Sequence, residues 1–194
     1  MKADGKYSSL FTVAASLVCV LGCYDPDPRS VDGALAYAAR AVEHGDRKQL
    51  FRILDQQGRH ALDATLKQRQ EAARVIQQSY PADEASRALA ELGDAITATS
   101  SEDLFTKRCD SECFAWFSRN VAAPAEQTSH GDLTTVRTIR DTTITLRHGS
   151  DGWYGIVWKT DELAAERDRA ARDLAQVQEN ARVYSTRKRL ESPN

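Results

Sequence analysis

The chain has 194 residues with a formal net charge of −2, and 41% of its residues are hydrophobic while 28% are charged. This balance is typical of a globular domain that is soluble in water, and the length allows one domain with a sizeable core. A weakly acidic chain without a basic stripe is a poor binder of nucleic acid, so that class of function is excluded.

The first 22 residues have the pattern of a signal peptide. Lys2 and Lys6 supply a short positive start, and residues 10–22 form an uncharged, mostly apolar run. This run is shorter than the roughly 20 residues that a membrane-spanning helix needs, and it has the length of a signal-peptide core. The pattern predicts that the chain is exported and that this segment is removed.

The apolar run ends in Val20, Leu21, Gly22 and Cys23, which resemble the lipobox of bacterial lipoproteins. The resemblance implies cleavage before Cys23 and attachment of acyl chains, such as palmitate, to that cysteine. Residues 23–29, which contain two prolines, would then be the tether between the lipid and the domain. An ordinary secretory cleavage that leaves Cys23 as a free thiol is the alternative.

The residue after a lipidated cysteine indicates the membrane in which such a lipoprotein is placed. Here Tyr24 follows Cys23, and Asp25 comes one position later. Under the sorting rule that the resemblance implies for enteric bacteria, Tyr24 favours the outer membrane over the inner one. The domain is therefore expected in the periplasm, held to the cell envelope by its lipid.

Five amphipathic helices are predicted after the tether. They cover about residues 31–44, 47–55, 60–80, 83–96 and 101–117. Ser30 is expected to cap the first helix and Asp46 the second. The segment Gln56-Gln57-Gly58 is expected to interrupt the chain after the second helix, and Pro81 stops the third.

Cys109 and Cys113 lie one turn apart on the predicted fifth helix. Once residues 1–22 are removed and Cys23 is lipidated, these are the two free thiols left, and an oxidising compartment favours a disulfide between them. The bond requires a slight relaxation of the helical turn. Two reduced thiols that pack as small hydrophobic side chains are the alternative.

Two thiolates without a second ligand pair are a weak metal signal, so neither a metal nor a cofactor is predicted.

A small antiparallel sheet is predicted next. Residues 122–132 are expected to form a loop because Pro124, Gly131 and small residues are frequent there. The strands that follow are rich in Thr, Val and Ile and are joined by short turns. They cover about residues 134–139, 142–148 and 153–158.

A long, charged helix over residues 161–190 completes the chain, so the fold class is α+β with a single domain over residues 30–194. An apolar stripe from Leu163 to Tyr184 runs along this helix. We expect the stripe up to Val177 to pack on the domain itself, which is the usual source of helix stability. The alternative is that the helix projects from the domain and pairs with itself or with another envelope protein.

Residues 42–54 and 151–158 resemble parts of nuclear-transport-factor-like domains, the second segment through its sequence Asp-Gly-Trp-Tyr-Gly-Ile-Val-Trp. The resemblance implies a cone-shaped α+β fold, which in that family includes acid–base enzymes as well as binding proteins. His148 and Tyr154 are the titratable side chains that the strand pattern would direct into such a cone. A different helix-rich α+β domain is the alternative, with Tyr154 in its core and His148 at a strand end.

The sequence contains none of the common catalytic motifs, such as G-x-S-x-G, H-E-x-x-H or a P-loop. None of the four histidines lies at metal-ligand spacing from another, and His44 suits a helix end, where a cation complements the helix dipole. The preferred interpretation is a membrane-anchored, non-catalytic domain that binds or scaffolds. An acid–base enzyme of the nuclear-transport-factor-like class and an ordinary secreted protein without lipid are the alternatives.

Overall fold

The computed structural model describes residues 26–191, and within this range it contains seven α-helices and one four-stranded sheet. The helices are α1 (Val31–Glu43), α2 (Arg47–Arg52), α3 (Gln56–Ser79), α4 (Ala82–Glu91), α5 (Ser101–Arg108), α6 (Ser111–Asn120) and α7 (Thr160–Glu191). The strands are β1 (Pro124–His130), β2 (Leu133–Thr138), β3 (Thr143–His148) and β4 (Tyr154–Ile156). A short 3₁₀ helix, Gly93–Ile96, follows α4. The predicted α+β class is confirmed.

The sheet is an antiparallel meander in the order β1-β2-β3-β4. It has one strand more than predicted, because β1 occupies most of the segment that was expected to be a loop. Six of the seven residues of β1 are exposed. The strand therefore lacks the alternation of apolar and polar residues that marks a half-buried strand in a sequence. Its pairing with β2 across the turn at Gly131, where φ is +62°, holds it in place.

The first two helices begin where the sequence predicts. The Ser30 hydroxyl accepts a hydrogen bond from Gly33 N, and the Asp46 carboxylate accepts one from Gln49 N. The segment Gln56-Gln57-Gly58 does not interrupt the chain but forms the first turn of α3. Asp55 caps that turn by accepting a hydrogen bond from Gly58 N, and such a cap outweighs the low helix propensity of one glycine.

The predicted fifth helix is two helices, since α5 ends at Arg108 and α6 begins at Ser111. Cys109 leaves helical geometry with φ −75° and ψ 81°. The carboxylate of Asp110 then accepts hydrogen bonds from the backbone N–H groups of Glu112 and Cys113. An aspartate that caps a new helix competes with continuation of the old one, which explains the break.

Two hydrophobic clusters hold the elements together. The larger one lies between the inner face of the sheet and the surrounding helices, and Leu35, Leu50, Phe117, Ile144 and Leu146 are among its fully buried members. A smaller cluster joins α3, α4 and α7. It contains Ala72, Ala73, Ile76 and Leu92, with Leu174 and Val177 of α7 packed against it.

Helix α7 lies beside α3 along most of its length, and the two run parallel. Thr160 contacts Asp55 at their starts, Arg69 pairs with Asp173 at 2.8 Å near their middle, and Tyr80 contacts the Val177 carbonyl near the end of α3. The apolar stripe of α7 thus packs on the domain itself.

Candidate functional site

The outer edge of β4 is covered by two segments from the N-terminal part of the chain. The Tyr154 N–H donates to the Pro28 carbonyl at 2.8 Å. Two residues further along β4, the Ile156 N–H donates to the Ile53 carbonyl at 2.7 Å. The Ile156 carbonyl in turn accepts a hydrogen bond from the Asp55 N–H at 2.9 Å. These bonds satisfy backbone groups that an open sheet edge would leave unpaired.

The segment before α1 is packed on the domain. Pro26 and Pro28 are buried, whereas Asp27 and Arg29 are exposed. A Cβ atom added at Gly33 would lie 1.8 Å from the Asp27 carbonyl oxygen, so α1 approaches this segment too closely for any other residue at that position. The predicted lipidation site, Cys23, lies outside the described residues.

A buried polar cluster begins α3 and links it to the sheet and to α7. Asp55 is 1% exposed, and its Oδ1 accepts hydrogen bonds from Gly58 N at 3.1 Å and from the Thr160 hydroxyl at 2.9 Å. Its Oδ2 forms an ion pair with Arg147 Nε at 3.2 Å, without hydrogen-bond alignment. One oxygen of this carboxylate is hydrogen-bonded and the other is ion-paired, and these contacts suit a structural role.

Sequence reasoning missed Asp55 as a site residue. The available signal was an aspartate three residues before Gly58 at the start of a helical pattern, which is the spacing of an N-cap. The other partners of Asp55, Thr160 and Arg147, come from distant parts of the chain and give no local signal.

The turn between β3 and β4 is held to α3 by a second carboxylate. Asp151 accepts a hydrogen bond from Arg59 Nη2 at 3.0 Å, and it accepts another from the Trp153 N–H at 3.1 Å. Burial raises the pKa of Asp151, but these hydrogen bonds outweigh burial and hold the pKa below its ordinary value. The Gln56 side chain adds a bond from the Ser150 hydroxyl at 3.0 Å.

His148 does not point into a cavity, and the prediction that it faces inward is wrong. It is the last residue of β3 and is exposed, and its ring lies 4.8 Å from that of Tyr154. Tyr154 is half-buried and packs against the larger cluster. Leu146, two residues earlier in β3, faces the core, and the alternation of the strand would direct His148 the same way. The chain turns at Gly149, however, so His148 lies at the margin of the sheet. His44 ends α1 as its C-cap, in agreement with its expected position.

The predicted cysteine pair lies at disulfide-bonding distance, with the sulfur atoms of Cys109 and Cys113 2.03 Å apart. Their Cα atoms are 5.1 Å apart, within the range for a disulfide. Both side chains are buried, and the Cys109 carbonyl accepts a hydrogen bond from Arg47 Nε at 2.8 Å. The pair therefore lies at the bend between α5 and α6.

The far end of α3 and α7 carries an aromatic and cationic groove of about 760 Å³. The rings of Tyr80 and Tyr184 line it with their centroids 4.8 Å apart, and Tyr184 donates a hydrogen bond to Glu84. Arg187, Lys188 and Arg189 form its other wall. Val183 and Leu190 are 51% and 77% exposed on the same last turns of α7.

Within residues 26–191, no group of three or more His, Cys, Asp or Glu side chains could hold a metal ion. Among the same residues, none of the helices combines the length and apolar character needed to cross a membrane.

The chain matches no known protein family, no curated protein and no solved structure. The likeness of residues 42–54 and 151–158 to nuclear-transport-factor-like domains therefore stays a prediction.

Proposed function

We propose that this chain is a lipoprotein of the bacterial cell envelope, anchored through acyl chains on Cys23, whose domain binds or scaffolds without catalysis. The observation that carries the proposal is the apolar run of residues 10–22, which ends in Gly22 and is followed directly by Cys23. After cleavage, a cysteine that carries several acyl chains holds the protein on the membrane. A single acyl chain gives only marginal binding, and each further buried CH₂ adds about 0.8 kcal/mol.

The contacts of two carboxylates near the start of α3 support a non-catalytic role. The carboxylates of Asp55 and Asp151 are committed to a helix start and a turn through the bonds described above. His148, the histidine next to this region, is exposed beside Tyr154. An acid–base catalyst would need such a group in a pocket that receives a substrate.

The test of anchoring is a comparison of Cys23→Ala with Cys19→Ala in fractionated cells. We expect an acylated N-terminal peptide and membrane association in the wild type and in Cys19→Ala, and loss of both in Cys23→Ala. Membrane association of Cys23→Ala together with an unacylated wild-type peptide would contradict the proposal.

We further propose placement in the outer membrane with the domain in the periplasm, since Tyr24 follows Cys23. Separation of the two membranes on a density gradient tests this placement. Tyr24→Asp should shift the protein toward the inner membrane, and Tyr24→Phe should not. A wild-type protein found in the inner membrane would contradict the proposed placement.

The last turns of α7 are the proposed contact for an envelope protein partner. Val183 and Leu190 expose apolar surface there, next to the cations at positions 187–189. Truncation after Ser185 should leave the melting temperature nearly unchanged and abolish capture of a specific partner from detergent-solubilised envelope. Equal capture by the full and truncated chains would contradict this contact.

A further inference from the structure

We infer that the tether surface, formed by Asp27, Arg29, Tyr37 and Trp153, lies against the lipid headgroups of the membrane that holds Cys23. The inference rests on the proposed lipidation and adds to it an orientation of the domain. These residues adjoin one another because Trp153 precedes Tyr154, whose N–H binds the Pro28 carbonyl, and because the Tyr37 and Trp153 rings lie 6.4 Å apart.

The distance available between the lipid and the domain is short. Pro26 is buried on the domain, and three peptide units connect it to Cys23. Those units span at most about 11 Å when fully extended. A bilayer that holds the acyl chains of Cys23 therefore lies within that distance of Pro26, which is much less than the size of the domain.

The docked segment resists lengthening of this connection. Its release would break the hydrogen bond from Tyr154 N–H to the Pro28 carbonyl and would expose the buried Pro26 and Pro28. The close approach of Gly33 to Asp27 shows that the segment and α1 are fitted to each other. Residues 26–29 thus belong to the domain.

The chemistry of the tether surface suits a headgroup layer. Tyr37 and Trp153 are half-buried, and each presents an apolar ring with a polar group, the combination that is enriched at membrane–water interfaces. The exposed guanidinium of Arg29 can meet lipid phosphates. Asp27 accepts the Arg29 backbone N–H at 3.0 Å, and Asp151 is bound to Arg59 and Trp153. Both carboxylates are therefore hydrogen-bonded within the domain, and Asp151 is also paired with a cation.

This orientation separates the membrane from the proposed partner contact. Helix α3 begins next to β4, and its 24 residues extend about 36 Å to the groove at Tyr80. The groove and the last turns of α7 are therefore at the end of the molecule remote from the tether surface.

Quenching of tryptophan fluorescence tests the inference. The lipidated protein would be placed in phosphatidylcholine–phosphatidylglycerol vesicles whose headgroups carry a nitroxide spin label. Quenching should be strong in the wild type, and most of it should be lost in Trp153→Phe. The control is Trp116→Phe, which removes the tryptophan of α6 beside the disulfide and should leave the quenching strong. Equal quenching in the two variants would overturn the inference.

A longer tether provides a variant that leaves the domain unchanged. An insertion of about 12 Gly and Ser residues between Asp25 and Pro26 has an r.m.s. span of roughly 20 Å. The insertion should reduce the quenching of Trp153 while acylation and vesicle association stay intact. Unchanged quenching would overturn the inference that the short connection holds the tether surface at the membrane. Absence of acylation or of vesicle association in the wild type would instead contradict the proposed lipidation.

Discussion

The backbone N–H of Tyr154 donates a hydrogen bond to the carbonyl oxygen of Pro28, with 2.8 Å between the two atoms. This bond joins the segment that follows the proposed lipidation site to the outer edge of the last strand. At the same edge, the Ile53 carbonyl and the Asp55 N–H form hydrogen bonds with the backbone of Ile156. The start of the domain, the sheet and the start of α3 therefore meet along one strand of three residues.

Gly33→Ala should release the segment before α1. The added methyl group would lie 1.8 Å from the Asp27 carbonyl oxygen, so the segment must move. A loss of about 1–2 kcal/mol of docking would raise tryptic cleavage after Arg29 about tenfold, which mass spectrometry of limited digests would measure. Ala36→Ser, an exposed change in the same helix, is the control. Equal cleavage in both variants would show that the segment is not docked.

Gly155→Ala should destabilise the domain by about 2–3 kcal/mol. A Cβ at this position would lie 2.5 Å from the Asp55 Cα and 2.7 Å from the Leu54 carbonyl oxygen. Both are backbone atoms and cannot rotate away. Urea unfolding measures the loss, and Thr143→Ala on the exposed side of β3 serves as the control. A change of less than about 0.5 kcal/mol, as at ordinary surface sites, would contradict the close contact.

Asp55→Ala should cost about 2–4 kcal/mol, because it removes a helix cap and leaves Arg147 without its buried partner. Asp46→Ala removes an exposed cap of the same kind, and it should cost about 1 kcal/mol. Chemical denaturation of the two variants gives the difference. Equal losses would mean that neither the ion pair with Arg147 nor the hydrogen bond from Thr160 contributes to stability.

Acidification should weaken the turn between β3 and β4. The pKa of Asp151 is lower in the folded protein than its ordinary value of 3.8, because hydrogen bonds from Trp153 and Arg59 outweigh the opposing effect of burial. The contribution of Asp151 to stability is therefore present above about pH 4 and is lost as the pH falls through the lower, folded-state pKa. Asp151→Asn should show a smaller loss of stability in this acid range than the wild type. Parallel pH profiles would contradict the linkage.

Natively prepared protein should contain a disulfide between Cys109 and Cys113. Because the closed loop is short, its reduction should lower stability only by an amount at the low end of roughly 0–5 kcal/mol. Mass spectrometry without reductant, after alkylation, should show both cysteines unmodified by the reagent. Alkylation of both thiols would show that they are reduced and pack as small hydrophobic side chains.

Local interactions explain which elements were predictable. The caps at Ser30 and Asp46 bind backbone groups three residues away, so their sequence signals are contained in four residues. The alternation of Ile144 and Leu146 likewise marks the inner face of β3, where both are buried. By contrast, β1 is exposed along most of its length, and its pairing with β2 rather than any apolar pattern determines it.

The break between α5 and α6 shows why a helical pattern can fail. The apolar spacing of Phe105, Cys113 and Phe117 agrees with one continuous helix, and all three side chains are buried. The bend at Cys109 and the cap at Asp110 nevertheless keep all three in the core. Apolar periodicity identifies which residues face the core but does not distinguish one helix from two that share it.

The sequence by itself determined the apolar run of residues 10–22 before Cys23, the starts of the first two helices, the order of helices before strands and the pair of cysteines, because each depends on residues close in the chain. Only the tertiary structure decided that Pro28 binds β4, that Gly33 and Gly155 must lack side chains, and that Asp55 meets a hydroxyl 105 positions away at Thr160. Such contacts form when distant segments pack together. Their partners are set by the geometry of the whole fold, and no local pattern of residues records that geometry.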